Sequence, residues 1–260
     1  MRKLTFYSVL LLAAVAFTAA NALGGYILKN VSEENSSVMG AANKGKTNTT
    51  IYYEDGMLKT VEEGSREVTI IDLNKNILYN INHGKKTYSQ IDLAELQAKA
   101  GAMKKHAEKQ MEDAMARMEN MPPEQQEMMK QMMGTMNAKF KVQKTSETKD
   151  ILGYKCTKYV MTRGNMLKID MWVTDDLDVG DSYQKFMQFM MAHESDEGMF
   201  DELKKIDGVA LETESYINMG PSNVRNRDYT KEIKETNIDD SEFKVPEGYK
   251  KEEFSLENAG

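Results

Sequence analysis

Asp55-Gly56 is the feature that most narrows what this chain can become. It separates two strand-like runs, TNTTIYYE and MLKTVEE. Both of its positions tolerate the positive φ that a two-residue hairpin turn requires. The punctuation then repeats. Gly64-Ser65 leads into REVTIIDL, Asn74-Lys75-Asn76 into ILYNIN, and His83-Gly84 into KKTYSQI. Within ILYNIN, Ile77, Tyr79 and Ile81 fall on one face of a strand. Four or five short strands at hairpin spacing predict an antiparallel sheet, open or curled into a barrel.

The pattern changes at Asp92. From there to about Lys139 the chain holds helix formers and no strand alternation. Asp92 is placed to cap a helix through DLAELQAKAGAMKKHAEKQMEDAMARMENM, and Pro122-Pro123 ends it. PEQQEMMKQMMGTM reads as a second helix, with Pro123 in its first turn and Gly134 near its end. The expectation is a methionine-rich helical hairpin inserted between β segments at about 92–139.

Strands resume with ILGYKCTKYVMTRGNMLKIDMWVTDDL, turning at Arg163-Gly164-Asn165. Alternation puts Leu167, Ile169, Met171 and Val173 on one face and Lys168, Asp170 and Trp172 on the other. Tyr183, Phe186, Met187 and Met190 recur at helical spacing behind Asp181, and MFDELKKI reads as a short helix. GVALETESYINM and RDYTKEIKETNI predict two more strands. In FKVPEGY, Pro246 and Gly248 suit a type I turn, with Phe243 and Tyr249 available to pin it to the sheet. Residues 250–260 are polar and expected to be a flexible tail.

The amino terminus reads as an export signal. Arg2 and Lys3 precede an apolar run from Leu4 to about Ala20, and Ala20-Asn21-Ala22 suits signal peptidase. The expected division is a signal peptide at 1–22, one β-rich domain at 23–249 with the helical insertion, and the tail. The destination is periplasmic or secreted. The run is short and alanine-rich for a membrane span, and no later segment is apolar enough for one. The net charge is −7. Losing Arg2 and Lys3 with the leader makes it more negative still, which disfavours nucleic acid or an anionic membrane held by bulk charge. Cys156 is the only cysteine, so no internal disulfide forms, and its apolar strand context makes it a small buried hydrophobe.

Familiar chemistry is missing. His83, His106 and His193 share no metal-ligand spacing, and no phosphate loop, G-x-S-x-G elbow or zinc-protease helix occurs. The reading is a non-enzymatic protein with no catalytic residues, no metal site and no cofactor. The methionines stand out: the chain has 21, and ten fall between Met103 and Met136. They admit three roles. One is gap-filling packing of a helical face. Another is a lid face for a lipid or other apolar small molecule, formed by Met103, Met111, Met115, Met118, Met129, Met132, Met133 and Met136. The last is thioether binding of Cu(I), for which Met115, Met118, Met121, Met129, Met132, Met133 and Met136 have suitable spacings.

The succession TIIDLNKNILYNINHGKKTY, ILGYKCTKY, IDMWVTDDL and FKVPEGY resembles a family of exported bacterial proteins known as domain of unknown function 4412, from about Thr47 to Tyr249. The resemblance implies a fold similar to the LolA/LolB-type periplasmic lipoprotein carriers: an incomplete antiparallel β-barrel covered by amphipathic helices, with an apolar cavity for acyl chains. Two functions of different class follow: binding of a lipid or other apolar ligand on the concave face, or a structural or protein-interaction module of the cell envelope with a packed core.

Overall fold

The computed structural model describes residues 24–38, 41–96, 98–99, 101–102, 109, 138–177, 201–206, 208–219 and 222–254. Twelve strands form one sheet. The first six are β1 (Gly25–Val38), β2 (Ala41–Glu54), β3 (Met57–Glu62), β4 (Glu67–Asp72), β5 (Ile77–Asn82) and β6 (Thr87–Asp92). Past residues 93–139 come β7 (Phe140–Ile151), β8 (Tyr154–Arg163), β9 (Leu167–Thr174), β10 (Val209–Met219) and β11 (Ser222–Thr236), and finally the two-residue β12 (Lys250–Lys251).

The order across the sheet is β12-β6-β5-β4-β3-β2-β1-β11-β10-β9-β8-β7. Two meanders therefore run outward from a seam where β1 pairs with β11 antiparallel. Every other pairing is antiparallel except β12 on β6. The sheet is open, because its ends, β12 and β7, do not pair with one another.

The turns explain the first meander. Asp55 and Gly56 have φ of 46° and 79°, the doubly positive backbone of a type I′ hairpin. Asn76 takes φ 57° in the next anticipated turn but one. The turn at His83-Gly84 extends to Lys86, which carries the positive φ of 53°. In FKVPEGY the Tyr249 amide donates to the Pro246 carbonyl, and Gly248 has φ 79°. A positive φ at the third turn position belongs to type II, so the type I expectation is corrected.

Three strands are longer than the alternation suggests. The outer halves of β1 and β2 have no counterpart in the sequence pattern, and the two strands hold each other from Ser37↔Ala42 to Tyr26↔Tyr53. β11 begins five residues before Arg227. A separate short strand, β12, also forms in the expected tail: the Lys250 amide donates to the Lys86 carbonyl and Glu252 to Tyr88, which lays the chain along the β6 edge.

One face of the sheet carries the main apolar cluster, which runs from Leu58, Ile71 and Ile91 on one arm, through Leu28 and Ile51, to Met171, Tyr159 and Val142 on the other. We call this the inner face. Leu167, Ile169, Met171 and Val173 point into it as the alternation requires, while Lys168 is exposed. The outer face of the first arm has a second cluster around Val68, Ile70 and Ile81, closed by Ile238 and Phe243 from the segment after β11. Phe243 and Tyr249 thus anchor the C-terminal segment. The outer face of the second arm is charged instead, with Lys149–Glu212 at 2.8 Å, Arg227–Glu212 at 3.4 Å and Arg225–Glu214 at 3.3 Å.

Asp92 does cap a helix: its Oδ1 accepts from the Ala94 amide at 2.8 Å, and residues 93–96 are helical. Leu93 is buried in the inner-face cluster and Leu96 packs against it. Residues 201–203 are also helical, and the Glu202 carboxylate accepts from the amide of Val142 on edge strand β7 at 2.6 Å. Residues 98–99, 101–102 and 109 are helical too; the remainder of the expected hairpin, the expected Asp181 helix and the leader lie outside the described residues.

Candidate ligand site: a buried polar belt on the inner face

The inner face is apolar except at the seam. On β11, Val224, Asn226, Asp228 and Thr230 alternate inward, while Arg225, Arg227 and Lys231 are exposed. The register places Asn30 opposite Thr230 and Ser32 opposite Asp228 on the β1 side. Thr213 lies opposite Asp228 and Ser215 opposite Asn226 on the β10 side. Thr49 pairs with Asn30 from β2. Cross-strand partners lie about 5 Å apart, so these side chains form one contiguous belt. Asp228 is at its centre, flanked by Ser32 and Thr213 across the sheet and by Asn226 and Thr230 along its own strand.

The belt is closed off from solvent. Asp228 is 3% exposed and Thr213 1%. Among the described residues, Asn30 Oδ1, Thr49 Oγ1, Thr213 Oγ1, Asn226 Oδ1, Asp228 Oδ1 and Thr230 Oγ1 have no hydrogen-bond partner. Each such buried atom costs about 1–3 kcal/mol. Six together cost on the order of 10 kcal/mol, comparable to the whole stability of an ordinary domain. A patch that expensive is a poor structural choice, since Val and Leu would serve the same strands better.

Burial pushes the Asp228 carboxyl up to about 7, and the Ser32 hydroxyl, which hydrogen-bonds it, pulls the other way. No charged side chain contributes to that shift. The belt continues toward the turn ends of the strands into a hollow of about 640 Å³, whose lining includes Leu167, Ile217 and Val224 and, at its outer rim, Lys44, Lys168 and Arg225. Ligand pockets run from about 300 Å³ upward. Val224 and Ile217 stand two residues from Asn226 and Ser215 on the same strands, so the hollow leads onto the belt.

The eight methionines singled out as a lid face lie outside the described residues. Among the described residues no group of three or more His, Cys, Asp or Glu forms a metal cluster, and no helix is long and apolar enough to cross a membrane. Cys156 is fully buried, and burial pushes its thiol up to about 11. His83 serves structure, with its Nδ1 2.8 Å from the Tyr249 hydroxyl. The belt itself escapes a reading of the sequence. Its one signal is the phase of N-x-D-x-T against R-x-R-x-Y in β11, where both faces look polar.

Residues 118–249 match the family described as domain of unknown function (DUF4412), and the chain belongs to it. The first meander, including TIIDLNKNILYNINHGKKTY, precedes the matched segment. No curated protein matches the chain. Among solved structures it is similar to PNGF-II at 14% identity and a TM-score of 0.36, over 88% of this chain and 31% of that one. The chain therefore spans about a third of that protein's length. It is also similar to an uncharacterized conserved protein from Thermus thermophilus (7% identity, TM-score 0.43, 89% and 91% of the two chains). A LolA superfamily protein from Nitrosomonas europaea is similar at 6% identity and TM-score 0.28, over 84% and 90%. Likenesses at this level assign no function.

Proposed function

We propose that this chain is an exported, non-enzymatic carrier that binds an amphiphile on the inner face of its open sheet. The observation that carries the reading is the composition of that face: a continuous apolar floor interrupted in one place by a buried belt of unpaired polar atoms. An amphiphile needs both parts. Its tail lies on Leu28, Ile51, Ile169 and Met171, and its polar end reaches Asp228.

On this reading the open sheet is a barrel wall left unclosed between β7 and the β6–β12 edge, and the methionine-rich hairpin is its lid. The direction in which that helix starts supports the lid: Leu93 and Leu96 join the inner-face cluster directly after β6. The leader is removed after Ala22, so the mature chain starts at Leu23, just ahead of β1, and works in the periplasm or outside the cell.

Native mass spectrometry of the protein purified from its own envelope tests the carrier. A small amphiphile co-purifying at one per chain supports it. A bare mass, together with no uptake of any fluorescent amphiphile, whether cationic, neutral or anionic at its polar end, favours the alternative of an envelope interaction module with a packed core.

A further inference from the structure

The charges on the seam strands are sorted by face. Lys29 on β1, Lys44 and Lys46 on β2, and Arg225, Arg227 and Lys231 on β11 all sit at outward positions. Several spend their charge on outward acids, as in Lys29–Glu232 at 2.7 Å and Lys46–Glu33 at 2.9 Å. Inside, the belt holds Asp228 and, one row further along, the half-buried Glu34 opposite Asn226. No Lys, Arg or His among the described residues stands in the belt with them. The unpaired atoms are also of one kind: two amide carbonyl oxygens, one carboxylate oxygen and three hydroxyls that accept as readily as they donate. Among the described residues the belt holds more acceptors than donors and no positive charge.

Resting on the amphiphile reading, we propose that the polar end recognised by the Asp228 belt is an ammonium group, so that the preferred ligand is a cationic alkylamine rather than a fatty acid or a neutral lipid. An ammonium brings three donors and one charge. Asp228 Oδ1, Thr213 Oγ1 beside it across the sheet and Asn226 Oδ1 along the strand supply three acceptors. A hard metal cation fits less well, because it takes six to eight oxygens around it, and a sheet face offers only one side of that shell. In the belt a carboxylate ligand would meet Asp228 and Glu34 with no cation among the described residues beside either, since Lys44, Lys168 and Arg225 line only the hollow beyond it. The Asp228 carboxyl, raised to about 7, makes the preference depend on pH. Among the described residues the groups facing it are Ser32 and Glu34 on β1, Thr213 and Ser215 on β10, Asn226 and Thr230 on β11, and Thr47 and Thr49 on β2, and Glu34 is the one carboxylate in that set.

The test is calorimetric titration of the mature chain with dodecylammonium, dodecanol and dodecanoate below their micelle concentrations. At about pH 8.5 the amine is expected to bind at least about tenfold more tightly than the other two. Near pH 5.5 that preference falls away, because Asp228 gains its proton while the amine stays charged. Asp228→Asn brings the amine down to the level of dodecanol and leaves dodecanol unchanged, whereas Glu34→Gln keeps the preference. A second readout needs no tail and no variant: propylammonium should shift the Asp228 side-chain carboxyl resonance in the unmodified protein. Equal binding of all three dodecyl probes, or tightest binding of dodecanoate, overturns the ammonium and leaves the carrier standing. A propylammonium shift with no gain from the longer tail upholds the ammonium site and overturns the carrier. No binding by any probe overturns both.

Discussion

Asp228 on β11 and Ser32 on β1 face each other directly across the seam of the sheet, and the Ser32 hydroxyl bonds to a carboxyl that burial raises to about 7. The consequence for stability has a definite sign. An unfolded Asp ionises near its ordinary value of about 4, while the folded one keeps its proton until about pH 7. Between those limits the folded state binds more protons, so stability falls as pH rises and then levels off. Asp228→Asn removes that dependence. Denaturant titrations should show the variant more stable than the parent above pH 7, by an amount on the order of 3 kcal/mol, and the two converging near pH 4. Ser32→Ala should move the change in slope to higher pH. A parent whose stability rises between pH 4 and 7, with no change on Asp228→Asn, would refute the account.

The first meander is legible because Asp55-Gly56 and Asn74-Lys75-Asn76 are turn chemistry, and β9 because Leu167 to Val173 alternate cleanly. The outer halves of β1 and β2 are not. SEENSSV and AANKGKT have no apolar face, and they are strands because each pairs with the other, a long-range fact that local propensity does not carry. The belt is hidden for a related reason. In NVRNRDYTK the inward and outward residues are both polar, and only the pairing to β1 and β10 reveals which ones are buried. The helical start at Asp92 is legible from its capping oxygen.

The C-terminal segment is tied down at one pair. Tyr249 donates or accepts at His83 Nδ1 over 2.8 Å, with the rings edge-on at 5.7 Å, and its own ring packs on the outer cluster. Tyr249→Phe loses only the hydrogen bond and should cost about 1 kcal/mol. Tyr249→Ala also loses the ring and should cost about 3 kcal/mol. Hydrogen exchange should quicken at Lys250 and Glu252, whose amides bind the β6 side, before it quickens in β4.

Gly208 precedes β10 with φ 118°, and a methyl there would lie 2.2 Å from the Thr174 carbonyl oxygen. Backbone does not move aside for such a contact, so Gly208→Ala should cost more than about 3 kcal/mol or prevent folding. Gly45→Ala is the matched control. Its nearest neighbour would be Glu34 Cβ at 3.8 Å, and its melting temperature should hardly change.

Cys156 has no exposed surface, and burial raises its thiol to about 11. Thiolate is the reactive form, so the native protein should resist thiol reagents at pH 8. Labelling should appear only with unfolding, at a rate that follows denaturant concentration. Rapid labelling in native buffer would mean that the second arm opens on its own.

The methionine hairpin is the last point on which the carrier depends. A face of Met and Ala packs with less shape specificity than one of Leu and Phe, and on the carrier reading such a face would accept both an occupied and an empty site. Replacing Met111, Met115 and Met118 with Gln should therefore weaken uptake of a fluorescent apolar probe by about tenfold while costing little stability. Hydrogen exchange should be faster in the hairpin than in β4 or β9, because moving segments come from the low-stability end of a structure. A large fall in stability with uptake unchanged would assign these methionines to ordinary packing. Tight Cu(I) binding by a protein that takes up no apolar probe would assign them to a thioether metal site. A lid variant moves uptake and leaves stability, a core variant moves stability and leaves uptake, and that separation makes the triple variant decisive.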